Sequence, residues 1–170
     1  MPADPSRRAL IAAAAALPLL AAGCRGTEAL GTPPRPAPDV GRLRSAIEAE
    51  ELMVARYRAA LRLMGGGTAG ATLGTVLAEH SDHLRQLRAR LVPGSPRAAG
   101  SRPVRRPPAP ALPSSPRQVI GYLSRAELTA SNQLLGQVTG VPADLAQLMA
   151  SIAASEATHV PLLHRAGAGL

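Results

Sequence analysis

Glu156 and His159 stand in the stretch from Ile152 to Leu163, at stripe positions where a helix would normally bury aliphatic side chains. Their spacing of three puts both on one helical face, able to approach the same ion. A buried carboxylate without a partner costs several kcal/mol, so such a residue needs a hydrogen-bonding neighbour, a metal ion or a shifted pKa. His80 and His83 repeat the spacing earlier in the chain, and Glu127 interrupts an apolar stripe between Leu123 and Leu134. In the first helix two acids compete. Glu50 fits a seven-residue seam with Leu43, Tyr57 and Met64, whereas Glu51 fits an internal repeat of the chain, and helical phase alone does not choose between them. With Glu51 taken from the repeat, the candidate metal ligands are Glu51, His80, His83, Glu127, Glu156 and His159. The competing use of these groups is hydrogen bonding among themselves, with His80 and His83 on a partly exposed helix edge.

Four helices must position them. Between Asp39 and Met64 the residues Val40, Leu43, Ile47, Val54, Tyr57, Leu61 and Met64 recur at three-four spacing, with Asp39 as the expected N-cap and Gly65-Gly66-Gly67 as the stop. A second helix is expected from about Thr68 to Leu91, with Leu73, Val76, Leu77, Leu84, Leu87 and Leu91 inward and Pro93-Gly94 ending it. A third begins after Ser115-Pro116 and turns Ile120, Leu123, Ala126, Ala130 and Leu134 inward. Gly140 closes it. The fourth follows Val141-Pro142 with Leu145, Met149, Ile152 and Leu163 on one stripe, and Pro161 predicts a kink near its end. His164 falls off that stripe and reads as surface, while Glu48 and Asp82 read as ordinary partners of nearby Arg side chains.

The halves superpose at an offset of 76 residues, which carries positions 73, 76, 80, 83 and 87 onto 149, 152, 156, 159 and 163. His83 then falls on His159, His80 on Glu156 and Glu51 on Glu127. With these residues in place the pattern resembles the ferritin-like four-helix bundle. In that family one Glu from each of two helices and a Glu-x-x-His pair from each of the other two surround a di-iron or di-manganese centre. The resemblance spans residues 39–168 and is strongest at Glu156-Ala157-Thr158-His159. It implies Glu127 with Glu156 and His159 in one half, and Glu50 or Glu51 with His80 and His83 in the other, holding iron or manganese. One position departs. His80 stands where a bridging Glu belongs, and Glu79, four residues before His83, points about one helical step away. Losing that carboxylate favours a single ion or an asymmetric pair.

Residues 93–116 contain eight of the 17 prolines and form a Pro/Arg-rich connection between the second and third helices. Ferritin-like bundles have one long crossover there. A polyproline-like linker of this length reaches about 74 Å at 3.1 Å per residue, ample for a helix of roughly 36 Å.

Residues 1–23 carry two arginines, a 14-residue apolar run from Ala9 to Ala22 and then Gly23 before Cys24. This is a signal-peptide pattern, too short for a spanning helix of about 20 residues. Arg7-Arg8 in Ser6 to Ile11 resembles a twin-arginine export motif, and Leu20 to Cys24 resembles a lipobox, although Ala21 replaces the usual branched aliphatic residue. The resemblance implies lipidation of Cys24, with residues 24–38 as a Pro-rich tether holding the domain at the outer face of a bacterial cytoplasmic membrane.

Composition removes other classes. The 170 residues contain one Cys, no Trp, no Phe and two Tyr, so thiolate clusters and aromatic stacking platforms for single-stranded nucleic acid are out of reach. The net charge of +8 is carried by Arg alone. Outside residues 1–23 and 93–117, 12 Arg face 10 acids, so the basicity belongs to the linker, which reads as a solvated spacer, with contact to anionic envelope surfaces as the alternative and nucleic acid disfavoured. Two functions remain: a tethered ferritin-like protein binding one or two transition-metal ions, and a metal-free bundle serving as an envelope interaction or structural module. The family of similar exported lipoproteins of high-GC bacteria gives a fold and an address more firmly than an activity.

Overall fold

The computed structural model describes residues 38–91 and 111–170. Arg7, Arg8, Cys24, the tether up to residue 37 and linker residues 92–110 lie outside the described residues. Four helices form: α1 (Pro38–Met64), α2 (Gly67–Ala89), α3 (Pro116–Gln137) and α4 (Ala143–Ala168). The described residues contain no strand. None of these helices is long and apolar enough to cross a membrane.

Local chemistry sets the ends. The first helix starts at Pro38, so Asp39 sits inside the first turn, where its charge complements the helix dipole, rather than acting as the cap. Gly65 and Gly67 take φ of 64° and 83°, the left-handed region that side chains avoid, and so reverse the chain within two residues. Ser115 caps α3 by accepting a hydrogen bond from the Gln118 N–H at 3.4 Å, with Pro116 in the first turn. α3 ends at Gln137, before Gly140, whose φ of 77° shapes the turn into α4. The fourth helix continues through Pro161, which is exposed together with Ala157, so the carbonyl left without its helical partner lies on the solvent side.

Cross-helix contacts give the topology. Arg42 at the start of α1 donates to the Thr139 carbonyl beyond the end of α3, and Arg56 further along donates to Tyr122 near the start of α3 at 3.0 Å, so α1 and α3 run antiparallel. Arg90 pairs with Asp144 at the start of α4, while Glu79 meets His159 further along it, so α2 and α4 are also antiparallel. The glycine turn makes α1 and α2 a third antiparallel pair. It follows that α2 and α3 are parallel.

Two apolar clusters fill the interior. One is built from Leu43, Ile47, Leu84, Leu87, Leu145 and Met149 at the end holding the α1 and α4 starts. The other gathers Met53, Tyr57, Leu73, Val76, Leu123 and Leu163 toward the glycine turn. In every helix the buried Glu and His residues fall between these two sets. The buried positions also repeat: 43, 46, 47, 50, 53, 54 and 57 of α1 correspond to buried positions 77 residues later in α3, whereas α2 and α4 correspond at 76.

Gly70 lies where α2 passes close to the turn, and a Cβ there would intrude on the Gly65 carbonyl oxygen, whereas a Cβ at Gly74 would meet nothing within 4 Å. Gly70→Ala should therefore destabilise the bundle by about 1–3 kcal/mol through overpacking. Gly74→Ala should stabilise it by about 0.5–1 kcal/mol by relieving glycine's entropic cost in a helix. Urea unfolding midpoints of the two variants should move in opposite directions.

Candidate metal centre

Each helix contributes to the polar layer between the two apolar clusters. Glu50 from α1, His80 and His83 from α2, Glu127 from α3, and Glu156 and His159 from α4 are all buried. Three-residue spacing keeps each α2 and α4 pair on one face, and the antiparallel packing brings the four faces to one level.

Glu51, the repeat-based choice for the first helix, is not in the layer. Its carboxylate is partly exposed and accepts a hydrogen bond from Arg88 at 2.6 Å. Glu50 takes the interior place, with Oε2 at 2.8 Å from His80 Nδ1 and Oε1 at 3.1 Å from His83 Nδ1. The reason is the one-residue difference in repeat: α1 maps onto α3 at 77, which pairs Glu50, not Glu51, with Glu127. One residue turns a helix by about 100° and sends the neighbouring acid outward. The edge placement considered for His80 and His83 is likewise not observed, since His80 is fully buried and His83 nearly so. His164 is exposed, as its phase indicates.

His80 is central. Its Nδ1 lies on Glu50 and its Nε2 lies 3.0 Å from Glu127 Oε1, with the His159 and Tyr57 rings each 5.2 Å away between centroids. His159 Nδ1 lies 3.1 Å from Glu127 Oε2, and its Nε2 lies 2.6 Å from Glu79 Oε2 and 3.5 Å from Ser155 Oγ. Glu79 is thus drawn to the site by α4, across the bundle, although its own helical phase leaves it 43% exposed. Tyr57 donates its hydroxyl proton to Glu127. Helical spacing alone places Tyr57 with the apolar residues; the signal for its polar role is that a buried phenol needs an acceptor, with Glu50 on the same seam.

Burial opposes every charge in this layer, and the neighbours decide which charges persist. For Glu50 and Glu127 the cost of burial is outweighed by hydrogen bonds and charge from the histidines, holding Glu50 below its usual range and Glu127 at about 2. Burial would make His80 neutral, but hydrogen bonds to Glu127 and Glu50 raise its pKa to about 10, so both ring nitrogens carry protons at neutral pH. Burial and the negative charges of Glu50 and Glu127 push Glu156 up to about 8, and burial with the Glu127 charge raises Tyr57 far above the phenol range. Glu156 Oε2 is buried with no hydrogen-bond partner.

Among the described residues two sets of donors are close enough to hold a metal ion: Glu50 with His80 and His83, and His80 with Glu127 and His159. Imidazole nitrogen with carboxylate oxygen is a donor set that transition-metal ions and Zn²⁺ accept. The unpartnered Glu156 oxygen, buried beside two carboxylates, is the kind of group a cation would satisfy. Compared with known protein families, curated proteins and solved structures, the chain finds no match among any of the three.

The pKa directions predict how the metal-free bundle responds to pH. Glu127, with its pKa lowered to about 2, contributes stability above the unfolded value of 4.5, lost as pH falls toward 2. His80, raised from 6.5 to about 10, contributes stability in full below 6.5, lost as pH rises through 10. Glu156 keeps its proton when folded up to about 8 but loses it near 4.5 when unfolded, so it lowers stability progressively between those values. In chelator, urea midpoints should fall from pH 4.5 to 8. Glu156→Gln, which cannot ionise, should remove the fall between pH 4.5 and 6.5 and leave the His80 loss between 6.5 and 10 in place.

Proposed function

We propose that this chain is a ferritin-like metal-binding protein, exported and held by a lipid on Cys24 at the outer face of a bacterial cytoplasmic membrane. The observation that carries the metal-binding reading is the partnerless carboxylate oxygen of Glu156, buried in a layer of three imidazoles and two further carboxylates. A dry aliphatic interior tolerates such a group only when something compensates it. The residues that would hold an ion are drawn from Glu50, His80, His83, Glu127, Glu156 and His159. A bound transition metal would supply Lewis acidity and, with iron or manganese, one-electron exchange. The ferritin-like assignment draws support from three antiparallel contacts that leave α2 and α3 parallel, joined by the long Pro/Arg-rich segment.

Export and anchoring rest on the sequence of residues 1–24, with Arg7-Arg8 as the transport signal and Cys24 as the acylation site. Twin-arginine transport moves folded proteins, which suits a domain that takes its metal before crossing. The arginines of the linker would meet anionic headgroups or wall polymers at close range.

A second reading has its own observation. A doubly protonated His80 already bridges Glu50 and Glu127 without any ion, which is how a metal-free envelope module could keep its interior satisfied.

Elemental analysis of protein expressed with Fe, Mn and Zn decides between the two. A stoichiometric metal signal is expected, lost in Glu156→Ala and in His159→Ala; a parent protein free of all three metals would establish the metal-free module. Cys24→Ser should move the protein from the membrane fraction to the soluble exported fraction. An unchanged distribution would remove the lipid anchor.

A further inference from the structure

The two donor sets that could each hold an ion both require His80. The set of Glu50, His80 and His83 uses its Nδ1, 2.8 Å from Glu50; the set of His80, Glu127 and His159 uses its Nε2, 3.0 Å from Glu127. A neutral imidazole offers a lone pair on one nitrogen and an N–H on the other, so it ligates through one side only. A carboxylate at position 80 could give one oxygen to each of two ions. The imidazole makes the two sets alternatives.

The neighbours select between them. A ligating imidazole ordinarily gives its remaining N–H to a carboxylate or carbonyl, and a ligating carboxylate is itself hydrogen-bonded, which fixes the orientation of each donor. In the set built on Nε2 every donor has such a neighbour: His80 Nδ1 faces Glu50, His159 Nε2 faces Glu79 at 2.6 Å, and Tyr57 donates to Glu127. In the other set His83 meets Glu50 through Nδ1 at 3.1 Å and has no second carboxylate among the described residues. Glu156, three residues from His159 on the same buried face, brings the unpartnered oxygen.

We propose that the core holds one divalent ion, not two, ligated by His80 Nε2, Glu127, His159 Nδ1 and Glu156, with Glu50, Glu79 and Tyr57 as positioning residues. The proposal rests on the metal-binding reading above and adds its stoichiometry, its ligands and the role of Glu79. Two imidazole nitrogens with carboxylate oxygens suit Zn²⁺, Fe²⁺ or Co²⁺ and disfavour Ca²⁺ and Mg²⁺.

The test is titration of the metal-stripped full chain with Co²⁺, followed by visible absorption and by elemental analysis. One Co²⁺ per chain is expected. His159→Gln should abolish binding, whereas His83→Gln, which removes a hydrogen-bonding partner of Glu50 and no ligand, should keep one ion per chain. Glu79→Gln should keep one ion but bind it about 10- to 100-fold more weakly, with a displaced Co²⁺ absorption band and unchanged helicity. Because Glu79 is half-exposed and His83 is the least buried histidine of the layer, their contrast remains readable if His159→Gln fails to fold. Two ions per chain, or loss of binding in His83→Gln with an unaltered Glu79→Gln, would overturn the proposal while leaving the metal-binding function intact. Absence of any bound Co²⁺ in the parent would overturn that function and this proposal with it.

Discussion

The structure depends on closing the charge balance of a polar layer buried between two aliphatic clusters. Removing carboxylates and imidazoles from water is costly in proportion to how poorly they are partnered. Here the helices meet this constraint by pooling groups from different helices. Glu50 is served by two histidines of α2, while Glu127 is served by one histidine from each of α2 and α4 and by the phenol of α1. A layer of this kind fixes the relative heights of all four helices, because a slide of one turn would strand several charges together. The aliphatic clusters supply most of the cohesion, and the polar layer supplies the register.

His80 gives the layer its asymmetry. In the corresponding place α4 carries Glu156, so the two halves share a backbone plan but not a charge plan. The imidazole can be a cation between two carboxylates or a ligand to one ion, and both uses draw on the same two contacts. The outcome is an interior that can exist with or without metal, provided that Glu156 keeps its proton when no cation is present. The charge state of the metal-free layer and the proposed one-ion stoichiometry both turn on that one position.

The topology serves the same end. Antiparallel contacts of α1 with α2, α1 with α3 and α2 with α4 leave α2 and α3 parallel. The matched burial patterns at offsets of 77 and 76 residues describe two similar helical hairpins, the spacing between matched positions of the two helices being one residue longer in the first hairpin than in the second.

Much of this was legible in the amino-acid order. Three-four spacing of Leu, Ile and Val marked four helices, glycine and proline marked their ends, and polar residues on the stripe marked Glu127, Glu156, His159, His80 and His83. Such features are local: periodicity reports which face of a helix is buried, and a carboxylate on that face is conspicuous wherever the helix packs. Tertiary structure decided what no single helix contains. Glu50 rather than Glu51 faces inward because the hairpins match at 77 residues in one helix and 76 in the next, a difference of about 100° of rotation. Glu79 reaches His159, Tyr57 reaches Glu127, and His80 stands between two carboxylates because of how far each helix is rotated and raised against its neighbour. Those two quantities arise from packing between separate segments, so the spacing within any one segment carries no record of them.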